Sequence, residues 1–174
     1  MNIADVNVMA EAAFVAALGG VFEHSPWVAQ RAFAARPFAN VAALHAAMVA
    51  AVDAATEDER LALLRAHPEL AGRAAVRGEL TADSTTEQVG AGLAQCSPEE
   101  FARITALNRR YNEKFGFPFI LAVKGWDRAG IIGEFARRVD RDRASEFTEC
   151  LAQVARITRF RLEALLDEKP GVSR

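Results

Sequence analysis

One histidine of this sequence stands where an imidazole could transfer protons. His67 directly precedes Pro68, and a proline ring disfavours helical backbone at the residue before it. A capping-box pattern at residues 56–59 predicts a short helix that must stop at His67, which leaves the imidazole on a bend. Histidine titrates near neutral pH, so this position suits general acid–base catalysis. The alternative is a structural histidine that interacts with the C-terminal dipole of the helix.

A second candidate group lies at the start of a later predicted helix. Ser84 and Glu87 have the S-x-x-E spacing of a capping box, so the first interpretation is that Ser84 caps a helix through Leu93. A helix N-terminus also attracts anions, and Thr85 and Gln88 would add polar donors around it. The two interpretations are compatible, and the spacing alone favours capping.

The third candidate is an arginine on the last predicted helix. Arg161 lies at the edge of the apolar stripe formed by Ile157, Leu162 and Leu165. Its guanidinium either reaches past this stripe to solvent or binds a carboxylate inside the protein. A histidine on a bend, an acid, a helix N-terminus and an arginine together suit a small anionic substrate. Their spacing does not name the reaction.

The sequence contains no pattern typical of a metal or nucleotide site. The histidines His24, His45 and His67 have no i,i+4 pairing, and HExxH, Walker and GxSxG motifs are absent from the sequence. Cys96 and Cys150 belong to no Cys/His ligand pattern, and we expect both to be buried thiols in a reducing compartment. We therefore expect a cytoplasmic protein that uses neither a metal nor a cofactor.

The composition predicts one helical domain. The chain has 174 residues, 51% of them hydrophobic and 25% charged, with a net charge of -2. This length supports a single domain with its own core, which we place at residues 1–174. Alanine is abundant and favours helix, so we predict an all-α fold, a compact helical bundle. The small net charge argues against a dedicated nucleic-acid binder, and no apolar run reaches the roughly 20 residues of a membrane helix.

Apolar spacing, capping boxes and prolines predict the element boundaries. The segment Phe117–Val123 has no polar side chain and contains Pro118, so we predict a short extended stretch covered by helices. Ser97 is expected to begin a long helix, and Gly78 and Gly116 to end helices in a left-handed conformation. The predicted helices cover residues 8–35 with a break at 25–26, then 41–55, 57–66, 69–77, 84–93, 98–114, 131–139 and 144–166.

Three groups of motifs, in this order, resemble the OHCU decarboxylase family. They are HPELAGR at 67–73, then LT at 80–81 with STTEQ at 84–88 and AGL at 91–93, then LN at 107–108 leading to Tyr111 and KFGFPFI at 114–120. The segment FEHSPW at 22–27 is similar to the N-terminal motif of the family, so the resemblance spans most of the chain. The combination is highly specific, whereas each motif alone is not.

The resemblance implies an all-α, cofactor-independent enzyme that is typically a homodimer. Members of this family convert 2-oxo-4-hydroxy-4-carboxy-5-ureidoimidazoline (OHCU) to (S)-allantoin, the last step from uric acid to allantoin. By resemblance, His67 is the catalytic acid/base and Glu87 lies beside it. The substrate-binding residues that the resemblance implies are Pro68, Ser84, Thr85, Thr86, Glu87, Gln88, Phe119, Ile120, Leu121, Ala122, Val123 and Arg161.

Two other functions stay open at the level of the sequence. One is a helical DNA-binding module that uses an arginine-rich stretch, whose members are Arg137, Arg138, Arg141 and Arg143. Asp140 and Asp142 lie among these arginines, which favours a solvated helix junction over a DNA-binding face. The other is a family member that acts on a related ureido or hydroxy-acid substrate, because the motifs define the catalytic groups better than the ligand.

Overall fold

Helices joined by short loops make up the fold. The computed structural model describes residues 1–72, 75 and 77–166. The helices in these residues are α1 Ile3–Asn7, α2 Glu11–Leu18, α3 Trp27–Ala32, α4 Val41–Asp53, α5 Glu57–Arg65, α6 Ala82–Gly90, α7 Pro98–Phe115, α8 Arg128–Arg138 and α9 Arg143–Leu165, with 3-10 turns at Phe33–Ala35 and Leu93–Gln95. The described residues contain no β-strand, and the all-α prediction is confirmed. Among these helices, none combines the length and apolar character needed to cross a bilayer.

The first of two compact units contains the N-terminal part of the chain. It comprises residues 1–66 together with the residues from Ala155 onward. Asn40 is the N-cap of helix α4, and its side chain accepts a hydrogen bond from the backbone of Ala43. The buried face of α4 has the predicted helical period. The side chains that fill this unit's core include Phe14, Leu18, Val28, Leu44 and Met48.

The second unit, residues 67–154, is organised around an aromatic cluster. The Tyr111 ring lies 4.5 Å from the Phe115 ring and 5.5 Å from the Phe119 ring, measured between centroids. Phe119 also stacks on Phe135 of α8, with 3.9 Å between the two centroids. Because buried rings pack in a few defined geometries, this cluster holds the non-helical segment 117–123 against α7 and α8.

Most predicted boundaries agree with the structure where the signal is local. Thr56 and Ser97 form the expected capping boxes, and Gly116 ends α7 with a φ of 76°. Segment 117–123 is neither helix nor strand and is buried, as predicted. Helix α1 was not predicted, although Asn2 and Asp5 form a reciprocal capping box at its start.

Some predicted helices differ from the structure or fall partly outside it. The break predicted at 25–26 extends over residues 19–26, because helix α2 already ends at Leu18. Helix α8 begins at Arg128, three residues before the predicted start, because the Asp127 side chain accepts a hydrogen bond from the backbone of Gly130. The predicted helix at 69–77 includes residues 73, 74 and 76, which lie outside the described residues. Gly78 has the expected left-handed conformation, with a φ of 69°.

Candidate active site

His67 is a buried side chain at the start of a loop. Helix α5 ends at Arg65 with Ala66 as its C-cap, so the predicted stop before Pro68 is confirmed. His67 is only 6% exposed. An imidazole shielded in this way can pass a proton to a bound molecule without competing exchange with bulk water.

The side chain of Gln88 connects helix α6 to the loop that follows His67. Its Oε1 accepts a hydrogen bond from the backbone N–H of Ala71 at 2.9 Å, and its Nε2 donates to the carbonyl oxygen of Glu69 at 3.2 Å. Gln88 is buried, so both ends of its amide are satisfied by backbone groups of the loop. The loop carrying His67 is therefore held on the helix that carries Glu87.

Helix α7 holds the same loop from a second direction. The Asn108 side chain donates to the carbonyl oxygen of Leu70 at 3.0 Å, and Asn112 donates to the Glu69 carboxylate at 2.5 Å. The chain also passes very close to Glu69 at Gly72, where an added Cβ would lie 2.6 Å from the Glu69 Cβ. Glycine is needed there for close approach, which gives the HPELAG motif a physical basis.

The predicted capping role of Ser84 is wrong. Helix α6 begins earlier, and its N-cap is Thr81, whose hydroxyl accepts a hydrogen bond from the backbone N–H of Ser84 at 3.3 Å. Ser84 is instead a residue of the helix itself, and its side chain is buried. Ser84 and Gln88 are four residues apart, so they share the buried face, and half-buried Glu87 lies next to it.

Thr85 and Thr86 lie on the exposed side of α6. Their hydroxyls donate to the carbonyl oxygens of Thr81 and Ala82, each at 2.9 Å. The positive pole of this helix is at residues 81 and 82, three residues before the predicted position. The polar groups that α6 turns into the protein are therefore those of Ser84 and Gln88.

Side chains of two helices form hydrogen bonds with the backbone of segment 119–123, which is predicted to bind the substrate. This segment is buried throughout. The carbonyl oxygen of Ile120 accepts a hydrogen bond from Nη1 of Arg138 on α8 at 2.9 Å. The backbone N–H of Ala122 donates to Oε1 of Gln153 on α9, also at 2.9 Å. Neither Arg138 nor Gln153 was singled out as a site residue from the sequence.

Arg161 is buried and bound to a carboxylate of the protein itself. It is 8% exposed, and its Nη1 lies 2.7 Å from Oε2 of Glu23. The clamp interpretation of Arg161 is thus nearer to the structure than the solvent-reaching one. Arg161 and Glu23 belong to the first unit, whereas His67 and Glu87 belong to the second.

Comparison with known proteins assigns the family. The sequence model of the OHCU decarboxylase family matches residues 7–163. The chain belongs to the OHCU decarboxylase family. It is 41% identical over 162 residues to the 2-oxo-4-hydroxy-4-carboxy-5-ureidoimidazoline decarboxylase of Haloferax volcanii, covering 93% of this chain and 94% of that protein.

Two further relatives extend the comparison. The chain is 38% identical over 165 residues to the uric acid degradation bifunctional protein PucL of Bacillus subtilis, covering 95% of this chain but only 33% of that protein. A crystal structure of (S)-allantoin synthase superposes with a TM-score of 0.76 at 29% identity, covering 96% of this chain and 55% of that chain. The chain therefore shares its all-α fold with a solved structure.

This OHCU decarboxylase family member also contains a buried ionic network that the sequence analysis missed. Arg138 is completely buried, and its Nε donates to Oε1 of Glu146 at 2.7 Å. The Tyr111 hydroxyl donates to the same carboxylate oxygen, and Nη2 of Arg138 lies 3.3 Å from Sγ of Cys150. Burial raises the pKa of both Tyr111 and Cys150, so both stay protonated at neutral pH.

A signal for the burial of Arg138 is present in the sequence. Ile131, Phe135 and Arg138 recur at i, i+4 and i+7 on the same stripe of α8, and all three are buried. The expectation of a solvated junction for this stretch is therefore wrong at Arg138. Its neighbour Arg137 is ion-paired with Glu134 at 2.6 Å, so these arginines do not form the unpaired basic face that DNA binding needs.

Cys96 differs from the expectation of a buried thiol. It is partly exposed and lies in the wall of a cavity of about 490 Å³, together with Thr85, Gln88, Val89 and Phe101. Only Cys150 is buried as predicted, and neither cysteine forms a disulfide in the described residues.

Proposed function

We propose that this protein catalyses the decarboxylation of OHCU to (S)-allantoin in the degradation of uric acid. The observation that carries the proposal is the family match over residues 7–163, combined with 41% identity to a decarboxylase of nearly the same length. The HPELAG, TTEQ and KFGFPFI motifs lie in this order within the matched residues. The whole chain, residues 1–174, would act as a single OHCU decarboxylase domain.

The reaction places two demands on the protein. The bond between the ring carbon and the carboxylate carbon breaks, CO2 leaves, and the electron pair passes into the adjacent ring. A proton must then form a new C–H bond on one face of that ring. The site must therefore hold the carboxylate in a fixed orientation and supply one placed proton.

His67 is the proposed proton donor. Its burial and its position on a loop held by Gln88 support this role, because a positioned acid must not reorient between turnovers. Glu87 follows on the same helix as Ser84 and would accept a hydrogen bond from the imidazole, which fixes its tautomer. A proton delivered from one fixed imidazole reaches one face only, and the product is then a single enantiomer.

The remaining proposed contacts hold the substrate. Arg161 offers a guanidinium fork that suits a carboxylate or a ureido oxygen. Buried apolar side chains of segment 119–123 would surround the carboxylate and favour its loss as neutral CO2. The proposed substrate-binding residues are Pro68, Ser84, Thr85, Thr86, Glu87, Gln88, Phe119, Ile120, Leu121, Ala122, Val123 and Arg161.

The proposal has a direct test. Freshly generated OHCU is mixed with the purified protein, and the optical rotation of the solution is followed with and without a chelator. We expect optically active (S)-allantoin at a rate well above the spontaneous one, with no effect of the chelator. Racemic allantoin formed at the spontaneous rate would contradict the proposal, and turnover of a related ureido acid alone would support the alternative substrate.

We also propose that the enzyme acts as a cytoplasmic homodimer. Family resemblance supports the dimer, and two cysteines without a disulfide in the described residues fit a reducing compartment.

A further inference from the structure

The FEHSPW motif at residues 22–27 supplies none of the groups proposed for the reaction, yet it places a carboxylate in the core of the first unit. Glu23 is 2% exposed, although carboxylates are seldom buried unless they are paired. Its Oε2 lies 2.7 Å from Nη1 of Arg161 on α9. The same Nη1 donates to the carbonyl oxygen of Val21 at 3.4 Å. Two groups of one turn, residues 21–25, therefore contact the guanidinium of Arg161.

The backbone of the 21–25 turn is arranged so that Glu23 points inward. The N–H of Ser25 donates to the carbonyl oxygen of Phe22 at 2.9 Å, and its hydroxyl donates to that of Glu23 at 3.0 Å. Between them, His24 has a left-handed backbone with a φ of 48°, which costs energy for a residue with a Cβ. The side chain of His24 is exposed, whereas those on both sides of it are buried. Such strain persists where a fold needs a particular placement, and here the residue placed is Glu23.

Stability alone gives little reason for a buried ion pair at this position. Desolvation of the Glu23 carboxylate and the Arg161 guanidinium offsets most of their attraction, and two apolar side chains of similar size are often as stable or more so. What the pair supplies is orientation. A guanidinium is planar, so a carboxylate that holds Nη1 restricts the direction in which the whole group faces.

We propose that Glu23 is a positioning residue, which holds the guanidinium of Arg161 in the orientation that binds the substrate. The inference rests on the proposed function, in which Arg161 binds a carboxylate or a ureido oxygen of OHCU. A guanidinium that is already oriented loses less side-chain entropy when it binds such a group. Glu23 acts through Arg161 and is not a catalytic residue.

A double-mutant cycle separates this role from a structural one. Glu23→Leu removes the acceptor, Arg161→Met removes the guanidinium, and the double variant replaces the ion pair by an apolar pair, which we expect to fold. Glu23→Gln is the conservative variant, because its amide oxygen can still accept a hydrogen bond from Nη1. It takes the place of Glu23→Leu in the cycle if that variant does not fold. Glu163→Gln is the matched control, since it removes the same charge from a partly exposed pair with Arg159 on the same helix.

Steady-state kinetics with fresh OHCU give KM and kcat, and urea unfolding verifies that each variant is folded. A structural role alone would reduce the amount of folded enzyme, and so the apparent kcat, without a change in KM. We expect Glu23→Leu to raise KM by about tenfold or more, Glu23→Gln to raise it by less, and Glu163→Gln to leave it unchanged. The double variant should have the KM of Arg161→Met, because Glu23 has nothing to orient once the guanidinium is gone.

Three outcomes would overturn the inference. One is a KM at or below the wild-type value in folded Glu23→Leu and Glu23→Gln. Another is a double variant whose KM rises by the product of the two single effects, since the two residues would then act independently. The third is an unchanged KM in Arg161→Met, because Glu23 would then orient a residue that binds no substrate. A wild-type protein without turnover of OHCU would instead overturn the proposed function.

Discussion

At the scale of single residues, the Arg138–Glu146 pair is the costliest arrangement to disturb. Both side chains are fully buried, and the pair also binds Tyr111 and the carbonyl oxygen of Ile120. Desolvating two charges costs several kcal/mol, which only their mutual attraction and added hydrogen bonds offset. We therefore expect the network to add little net stability. Its main effect is to orient α8 and α9 relative to segment 117–123.

Removing one partner should be strongly destabilising. We expect Glu146→Ala to lower the free energy of unfolding by about 3–5 kcal/mol, because Arg138 would then be a buried charge without its carboxylate. Urea denaturation followed by circular dichroism measures the loss. The control is Glu134→Ala, which breaks the partly exposed pair with Arg137 and should cost only a small part of that amount. Equal effects of the two substitutions would contradict the buried-charge argument.

The second residue-scale prediction concerns His67. His67→Asn keeps a polar side chain on the loop but removes the titratable nitrogen, so we expect kcat for OHCU to fall by about 10²- to 10⁴-fold. The allantoin that still forms should also lose its optical purity. His45→Asn is the control, since the hydrogen bonds of His45 within the described residues are with the carbonyl oxygen of Ala155 and the Thr158 hydroxyl of its own unit. Unchanged kcat in folded His67→Asn would exclude the proposed role.

At the scale of elements, helix α6 shows how a capping signal can be misassigned. The S-x-x-E spacing predicts Ser84 as the cap, whereas the structure has Thr81 at that position. The choice follows from burial, because starting at Ala82 turns Ser84 and Gln88 toward the loop after His67. In this arrangement Gln88 forms its hydrogen bonds to the loop, and Thr81 caps the first turn of the helix.

The cap assignment can be measured. We expect Thr81→Ala to lower the free energy of unfolding by about 1 kcal/mol, because the backbone N–H of Ser84 loses its acceptor. Thr85→Ala serves as the control on the same helix turn, since its exposed hydroxyl donates back to the Thr81 carbonyl, a bond within the helix that caps nothing. Thermal unfolding of both variants decides the point. A Thr81→Ala protein as stable as the wild type would mean that Thr81 is not the cap.

The elements that could be predicted are those with local signals. Thr56, Ser97 and Gly116 set helix boundaries through contacts within four residues, so spacing alone locates them. Helix α1 has only five residues and is held by Asn7, whose side chain bonds both backbone groups of Phe38. A short helix fixed by such a distant contact has too weak a periodic signal to be found in sequence.

At the scale of the whole molecule, the protein is an all-α member of the OHCU decarboxylase family with two compact units. A low net charge is consistent with the proposed binding of an anionic substrate, because a few positive groups near the substrate would suffice. Arg161 and Arg138 are each paired with a buried carboxylate, so neither adds to the net count. A low net charge is therefore compatible with buried guanidinium groups.

The proposed homodimer gives a prediction at this scale. Sedimentation equilibrium of the purified protein should return a mass of twice the chain's 18.9 kDa at micromolar concentration. A reducing agent should not change this mass, because burial raises the pKa of both Cys96 and Cys150, which keeps both thiols protonated and disfavours an intermolecular disulfide. A single species at 18.9 kDa over the same concentration range would contradict the dimer.

The sequence by itself determined the helical class, the helix ends with local caps, and the family, since these depend on composition, spacing within a few residues and ordered motifs. Only the tertiary structure decided which polar groups are buried and with what partner. Arg161 meets Glu23 across 138 residues of sequence, and Ala122 meets Gln153 across 31. No local pattern encodes such pairs, because the dielectric around a charge or an amide is set by whatever packs against it after folding.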